Sequence, residues 1–270
     1  MNHEFAFSPD DFGRVRQMIL AYAGISLHAQ KWNMVYNRLV RRIRAIGARD
    51  FRDYLDRVEM PGSQEKERFV NALTTNLTAF FREPHHFDSV ARLAGARSGG
   101  VLRVWSCACS TGEEAYSAAM VLREVGCAAE ILATDIDTDA LATARSGIYR
   151  VESLDKVGAE RVRRHFLKGT GEHDGSVLVR PELRGMVKFG LRNLLAGDWP
   201  SHERFDAIFC RNVMIYFDRP TQLKVLNRLA GALLPGGRLF LGHSENCASG
   251  HPAFAARGKT EYERRHASPA

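Results

Sequence analysis

Apolar residues recur at helical spacing through the first third of the chain. Phe12, Val15, Met18, Ile19 and Tyr22 follow Ser8-Pro9-Asp10-Asp11, which reads as a cap, a first-turn proline and two acids at the positive end of a helix. Gly24 stops that run. Trp32, Val35, Leu39, Ile43 and Ile46 mark a second helix ending at Gly47. Asp50 and Ser63 stand as caps of two more, bearing Phe51, Tyr54 and Leu55, then Phe69, Val70 and Leu73. The pattern predicts a helical bundle over residues 1–82. From Val101 onward short apolar strands alternate with helical stretches, which predicts an α/β domain over 83–270 with a mainly parallel sheet covered by helices. The predicted strands are 101–105, 130–134, 187–191, 205–210 and 238–242. A segment inserted at about 150–186 carries its own hairpin signal: 165–168, a glycine-rich tip, and 176–180.

Composition narrows the class. With 45% hydrophobic and 26% charged residues in 270, the chain is globular rather than disordered. No apolar run approaches the roughly 20 residues of a membrane helix. Met1-Asn2-His3-Glu4 lacks the basic start of a signal peptide, so a cytoplasmic location and no membrane insertion are expected. Five cysteines, an odd number, fit free thiols in a reducing compartment. Cys107 and Cys109 form half of a tetrahedral zinc site at most, and no metal is expected. The net charge of +7 favours an acidic partner without choosing among nucleic acid, a membrane surface and an acidic protein.

Two turns carry candidate chemistry. The first predicted strand runs into Ser106-Cys107-Ala108-Cys109-Ser110-Thr111-Gly112-Glu113-Glu114, small residues closing on a glycine before a helix, where a ligand can approach the backbone. The second ends in Thr134-Asp135-Ile136-Asp137. Asp135 lies about 20 residues beyond the glycine turn, where nucleotide-binding α/β folds place the carboxylate that accepts both ribose hydroxyls. Asp137 suits a helix cap, with Thr138 as its competitor. Leu234-Pro235-Gly236-Gly237 resembles the turn that many S-adenosylmethionine methyltransferases carry before a late strand. The dehydrogenase fingerprint G-x-G-x-x-G is missing.

Longer strings make the resemblance specific. Thr75-Asn76-Leu77-Thr78-Ala79-Phe80-Phe81-Arg82-Glu83, Ser110-Thr111-Gly112-Glu113-Glu114-Ala115-Tyr116-Ser117 and Ala133-Thr134-Asp135-Ile136-Asp137 resemble strings of the CheR family of chemotaxis receptor methyltransferases. So do Phe209-Cys210-Arg211-Asn212-Val213-Met214-Ile215-Tyr216-Phe217 and Gly242-His243-Ser244-Glu245-Asn246. The similarity spans nearly the whole chain in order. It implies a Rossmann-like S-adenosylmethionine methyltransferase domain with an inserted small antiparallel β-subdomain, preceded by the N-terminal helical bundle. The implied activity is esterification of glutamate side chains on the cytoplasmic helical region of chemotaxis receptors, with S-adenosylhomocysteine as the second product. The implied cofactor pocket is Asn76, Thr78, Arg82, Glu113, Asp135, Asn193, Leu194, Arg211 and Asn212, with Arg82 and Tyr216 also facing the methyl group. Ala115 and Ala108 stand where the family often has proline and glycine, which touches the packing of the turn.

A glutamate carboxylate with a reference pKa of about 4.3 is already an ionised nucleophile at neutral pH, so the reaction requires orientation rather than a base. Arg82 can grip either the acceptor carboxylate or the cofactor's own. His85, His86 and His243 have no task in this chemistry. A nucleic-acid methyltransferase would suit the charge, but Arg211-Asn212-Val213-Met214-Ile215-Tyr216 stands where base amino-methylating enzymes carry Asp- or Asn-Pro-Pro-aromatic. A cofactor-binding sensor without turnover is the other alternative, and the presence of both Arg82 and Tyr216 counts against it. On the second helix, Lys31, Arg38, Arg41 and Arg42 fall on one flank beside the apolar stripe, with no acid from His28 to Arg49, and form the expected receptor-docking surface. The inserted hairpin is a candidate tether for a receptor tail peptide, with 176–180 as an edge strand and Gly169, Gly171 and Gly175 keeping the tip open.

Overall fold

In the computed structural model, which describes residues 4–97, 99–197, 199 and 204–266, Ser8 opens the first helix as a capping box. Its Oγ accepts from the Asp11 amide at 3.1 Å while the Asp11 carboxylate accepts from the Ser8 amide at 2.9 Å. Helix α1 (Pro9–Ala23) ends at Gly24 in the left-handed region, φ 71°. Helices α2 (Trp32–Ile46), α3 (Phe51–Glu59) and α4 (Glu65–Leu73) complete the bundle. Val15, Ile19, Val35, Leu39, Ile43, Phe51, Tyr54, Leu55 and Phe69 are fully buried between them. Helices as short as α3 and α4 are marginal alone. Burial worth about 1.5–3 kcal/mol per large apolar side chain holds them in place.

The second unit opens with α5 (His85–Gly95), then alternates β1 (Leu102–Ser106), α6 (Glu113–Glu124), β2 (Ala129–Asp135) and α7 (Thr138–Ser146). Next come β3 (Ile148–Arg150), α8 (Ala159–His165), β4 (Phe166–Lys168), β5 (Ser176–Val179), α9 (Pro181–Arg184) and β6 (Val187–Leu191). The chain then forms β7 (Phe205–Cys210), α10 (Arg219–Ala232), β8 (Leu233–Leu241), β9 (Phe254–Gly258) and β10 (Glu261–Arg264). The large sheet has the order β6-β2-β1-β7-β8-β10-β9. Its first five strands are parallel, and β10 runs antiparallel to both neighbours. Strand order reverses direction at β1, whose neighbours are β2 and β7. The crevice beyond the carboxyl ends of β1 and β7 is therefore the topological switch point, where such sheets bind ligands.

Several expectations change. The strand expected at 238–242 begins earlier: Leu233 already pairs with Phe205, and Leu234 to Gly237 bulge out before Arg238 pairs with Ala207. The β9–β10 hairpin escaped notice because each strand buries one large residue, Phe254 and Tyr262, and alternation that sparse gives no period. The inserted hairpin forms as predicted, with β4 and β5 antiparallel. However, β5 is the centre of a three-stranded sheet, β3-β5-β4, and not an edge. The tip is also closed rather than open. A Cβ on Gly169 would lie 2.0 Å from the His173 carbonyl oxygen, so the glycine serves the loop's fold onto itself.

Candidate functional site

A cavity of about 330 Å³ occupies the switch point, within the range of roughly 300–1,000 Å³ usual for small-molecule sites. Its walls come from the ends of β1, β2 and β7, the segment after β6, the loop between α1 and α2, and residues 73–82. Asn76, Thr78, Arg82, Asp135, Asn193, Leu194, Arg211, Asn212 and Tyr216 all line it. Glu113 does not. It is buried in the first turn of α6 and accepts from the Thr111 hydroxyl at 2.6 Å, while its neighbour Glu114 takes the place on the wall. Successive residues of a helix point about 100° apart, and only the docking of α6 on the sheet decides which acid faces inward.

Asp135 is buried, and both of its oxygens are anchored. Oδ2 accepts from the Ser110 amide at 2.7 Å and Oδ1 from the Asp137 amide at 3.0 Å. Burial raises its pKa, and those two N–H donors oppose the rise. Each anchored oxygen keeps a further lone pair, so the carboxylate can accept from a vicinal diol. Gly112 makes the turn above it possible. Its φ is 98°, and a Cβ there would meet Ala144 Cβ and Tyr149 Oη, both at 2.9 Å.

Arg211 is buried and ties the floor of the cavity together. Its Nη1 donates to Glu114 Oε2 at 3.1 Å, its Nη2 donates to the Arg82 carbonyl, and Glu83 Oε1 lies 3.5 Å away. Burial pushes the Glu114 carboxyl up, with Arg211 opposing. Phe81, Glu83, Ser110 and Asn212 adopt positive φ, between 50° and 57°. Non-glycine residues rarely hold that conformation, and they do so where surroundings over-determine them. The Phe81 amide donates to Ser117 Oγ at 3.0 Å and the Asn212 amide to Glu245 Oε2 at 2.9 Å. Arg82 is thus presented on a strained turn fixed from two sides. Its Nη1 donates to the Leu77 carbonyl at 2.7 Å, which leaves other guanidinium N–H groups for a ligand. The sequence reading missed Glu114, Ser110 and Glu245, whose roles depend on which face of a turn packs inward.

The helical bundle contributes directly. Asp137 caps α7 by accepting from the Asp139 and Ala140 amides at 2.9 and 3.0 Å, so it and not Thr138 is the cap. Its other oxygen meets Thr74 Oγ1 at 2.5 Å and Asn76 Nδ2 at 2.7 Å. The Asn193 side-chain amide donates to the Tyr22 carbonyl at 2.8 Å, and the Ser26 amide to the Tyr216 carbonyl at 2.9 Å.

The expected docking flank of α2 is thinner than predicted. Arg42 forms a bidentate pair with Glu65 of α4 at 2.8 and 2.9 Å. Arg38 Nη1 donates to the Thr74 carbonyl at 2.5 Å. Both side chains therefore brace the bundle, because α4 packs along the flank they occupy. Lys31 lies on the cavity wall, and Arg41 points to solvent. Among the described residues, no helix is long and apolar enough to cross a membrane.

Comparison with known proteins agrees with this architecture. The family model "CheR methyltransferase, all-alpha domain" matches residues 10–74, and "CheR methyltransferase, SAM binding domain" matches residues 76–262. The chain is 50% identical to a chemotaxis protein methyltransferase of Klebsiella aerogenes, over 97% of this chain and 92% of that protein. It is also 50% identical to one from Escherichia coli, over 97% and 93% of the two chains. Chemotaxis protein methyltransferase 2 of Pseudomonas aeruginosa is 46% identical, over 97% and 95%. The chain belongs to the CheR methyltransferase family, and the cavity at its switch point is lined by residues of both the S-adenosylmethionine-binding domain and the all-alpha domain of that family.

Proposed function

We propose that this chain transfers the methyl group of S-adenosylmethionine to glutamate side-chain carboxylates of chemotaxis receptors, forming methyl esters. The observation that carries the reading is that Asp135, Arg82 and Tyr216 share one cavity, so a ribose anchor and a carboxylate clamp face the same space. The cofactor, when bound, supplies a methyl group activated on a sulfonium. Asp135 accepts from the ribose hydroxyls. Arg82 holds a carboxylate through charge-assisted hydrogen bonds, and the Tyr216 hydroxyl orients it. The acceptor arrives ionised, so these residues act by alignment and by displacing water from the nucleophile.

The helical domain is the receptor-docking unit in this reading, and of the four cations predicted on the α2 flank Lys31 and Arg41 remain available. A receptor tail peptide would add to an outer strand of the small sheet, β3 or β4, since β5 is paired on both sides. Titrating such a peptide against the protein should show binding that is lost when proline replaces Lys168 in β4 or Arg150 in β3, residues whose amides point away from β5. Unchanged binding in both variants would exclude strand addition. The reaction itself is tested with labelled S-adenosylmethionine and receptor-containing membranes. The label should be released by mild alkali, as a carboxyl ester requires. A base-stable product would sink the glutamate assignment.

A further inference from the structure

The turn that carries Arg82 continues into α5 and crowds together a carboxylate and two histidines that methyl transfer does not use. One ligand atom from each of Glu83, His85 and His86 lies within 4.8 Å of the other two. His86 is fully buried, yet its Nδ1 has no hydrogen-bond partner. Glu83 Oε2, 3.8 Å away, is also buried and unpartnered. The tautomer of His86 follows from its surroundings. The Thr260 hydroxyl donates to the Lys259 carbonyl at 2.7 Å, so its oxygen accepts from His86 Nε2–H at 3.1 Å. Nδ1 is left with a lone pair and no proton. Two buried acceptors facing each other without a donor between them are costly, and they call for something that binds lone pairs.

We propose that Glu83, His85 and His86 form a binding site for one divalent late first-row cation of the zinc class, held by Glu83 Oε2, His86 Nδ1 and a ring nitrogen of His85. Two neutral imidazoles and a carboxylate are a donor set for such ions, whereas calcium and magnesium prefer all-oxygen shells. Metal–ligand bonds of about 2.0–2.2 Å in a tetrahedron place ligand atoms roughly 3.3–3.6 Å apart. The 3.8 Å separation of the two buried donors needs only a small contraction to reach that range. His85 is exposed, which gives it room to swing in and gives the ion a path from solvent. The Nε2 contact to Thr260 fixes the ring of His86 as outer contacts do for ligating histidines. Glu83 Oε1 is engaged elsewhere, by His243 Nδ1 at 3.2 Å and Arg211 at 3.5 Å, so Oε2 is the oxygen available. The charge of Arg211 opposes the cation and makes the site weaker than a closed structural zinc site.

Cobalt(II) is the probe, because its visible absorption intensifies when it leaves octahedral water for a four-coordinate site. Chelator-treated protein should take up one equivalent with that spectral change, and zinc should reverse it. His85→Ala, at an exposed position, and the near-isosteric Glu83→Gln should each weaken uptake at least tenfold, while His173→Ala on the hairpin tip leaves it unchanged. Thermal unfolding of each variant checks that the fold is intact. Absence of the spectral change in wild type overturns the site, as does a His85→Ala or Glu83→Gln titration that superimposes on wild type. The proposal is independent of the methyl-transfer reading.

Discussion

Asp135 illustrates how a single side chain sets a measurable threshold. In the proposed function its value to the cofactor lies in accepting two hydroxyl hydrogen bonds, and a protonated carboxyl loses part of that capacity. Burial places its pKa above the ordinary aspartate value of about 3.9, with the Ser110 and Asp137 amides opposing. On that proposal the ionised form is the one that binds. Affinity for S-adenosylhomocysteine is therefore full above the raised pKa and declines as pH falls through it, earlier than for an exposed aspartate. Asp135→Ala should weaken binding by about 1.5–3 kcal/mol, the range for a hydrogen bond to a charged group, and should flatten the acidic decline. Calorimetry across pH checks both, and a folded variant with the wild-type profile would remove Asp135 from the pocket. The place of Asp135 on the cavity wall was legible in the sequence because strand, turn and acid have fixed spacing in such folds. The choice between Glu113 and Glu114 was not, since helix phase is a product of tertiary docking.

At the scale of elements, α2 shows what a helical wheel can and cannot tell. Arg38, Arg41 and Arg42 lie on α2 as the wheel requires, whereas Lys31 falls in a 3-10 turn ahead of the helix, and the wheel carried no information about the neighbour along that flank. Glu65 of α4 takes Arg42, and the carbonyl of Thr74 takes Arg38. Reversing Arg42 would therefore break an internal pair with half-buried partners and confound any reading of docking. Arg41 is the cleaner probe. Arg41→Glu should raise the apparent Michaelis constant for receptor by up to roughly fivefold, the worth of about 1 kcal/mol for an exposed pair, more at low salt, with cofactor affinity unchanged. Receptor kinetics equal to wild type at low salt would return α2 to a purely structural role. The small sheet teaches the same lesson. Val177 and Val179 announce a strand, but the three residues of β3 are too few to show a period, so the partner that makes β5 central was invisible.

The whole molecule is organised so that neither domain owns the cavity. Residues 23–34 and 73–79 supply one wall, the ends of β1, β2 and β7 the other. The domains are clasped at three loops: Asp137 by Thr74 and Asn76, Asn193 by the Tyr22 carbonyl, and Tyr216 by the Ser26 amide. Each clasp sits within a few residues of the wall it supports. A ligand in the cavity should accordingly stabilise both domains together and not the nucleotide-binding domain alone. At one hundred times its dissociation constant, a ligand specific for the folded state contributes about 2.7 kcal/mol. For a chain of this size that corresponds to an upward shift of roughly 5–10 °C in unfolding midpoint. Saturating S-adenosylhomocysteine should produce that shift in a single transition, and hydrogen exchange should slow in residues 26–31 and 74–82 as well as in 107–111 and 192–194. Two separate transitions with only the second moved, or protection confined to the sheet side, would show that the helical domain is a passenger at the site and not one of its walls.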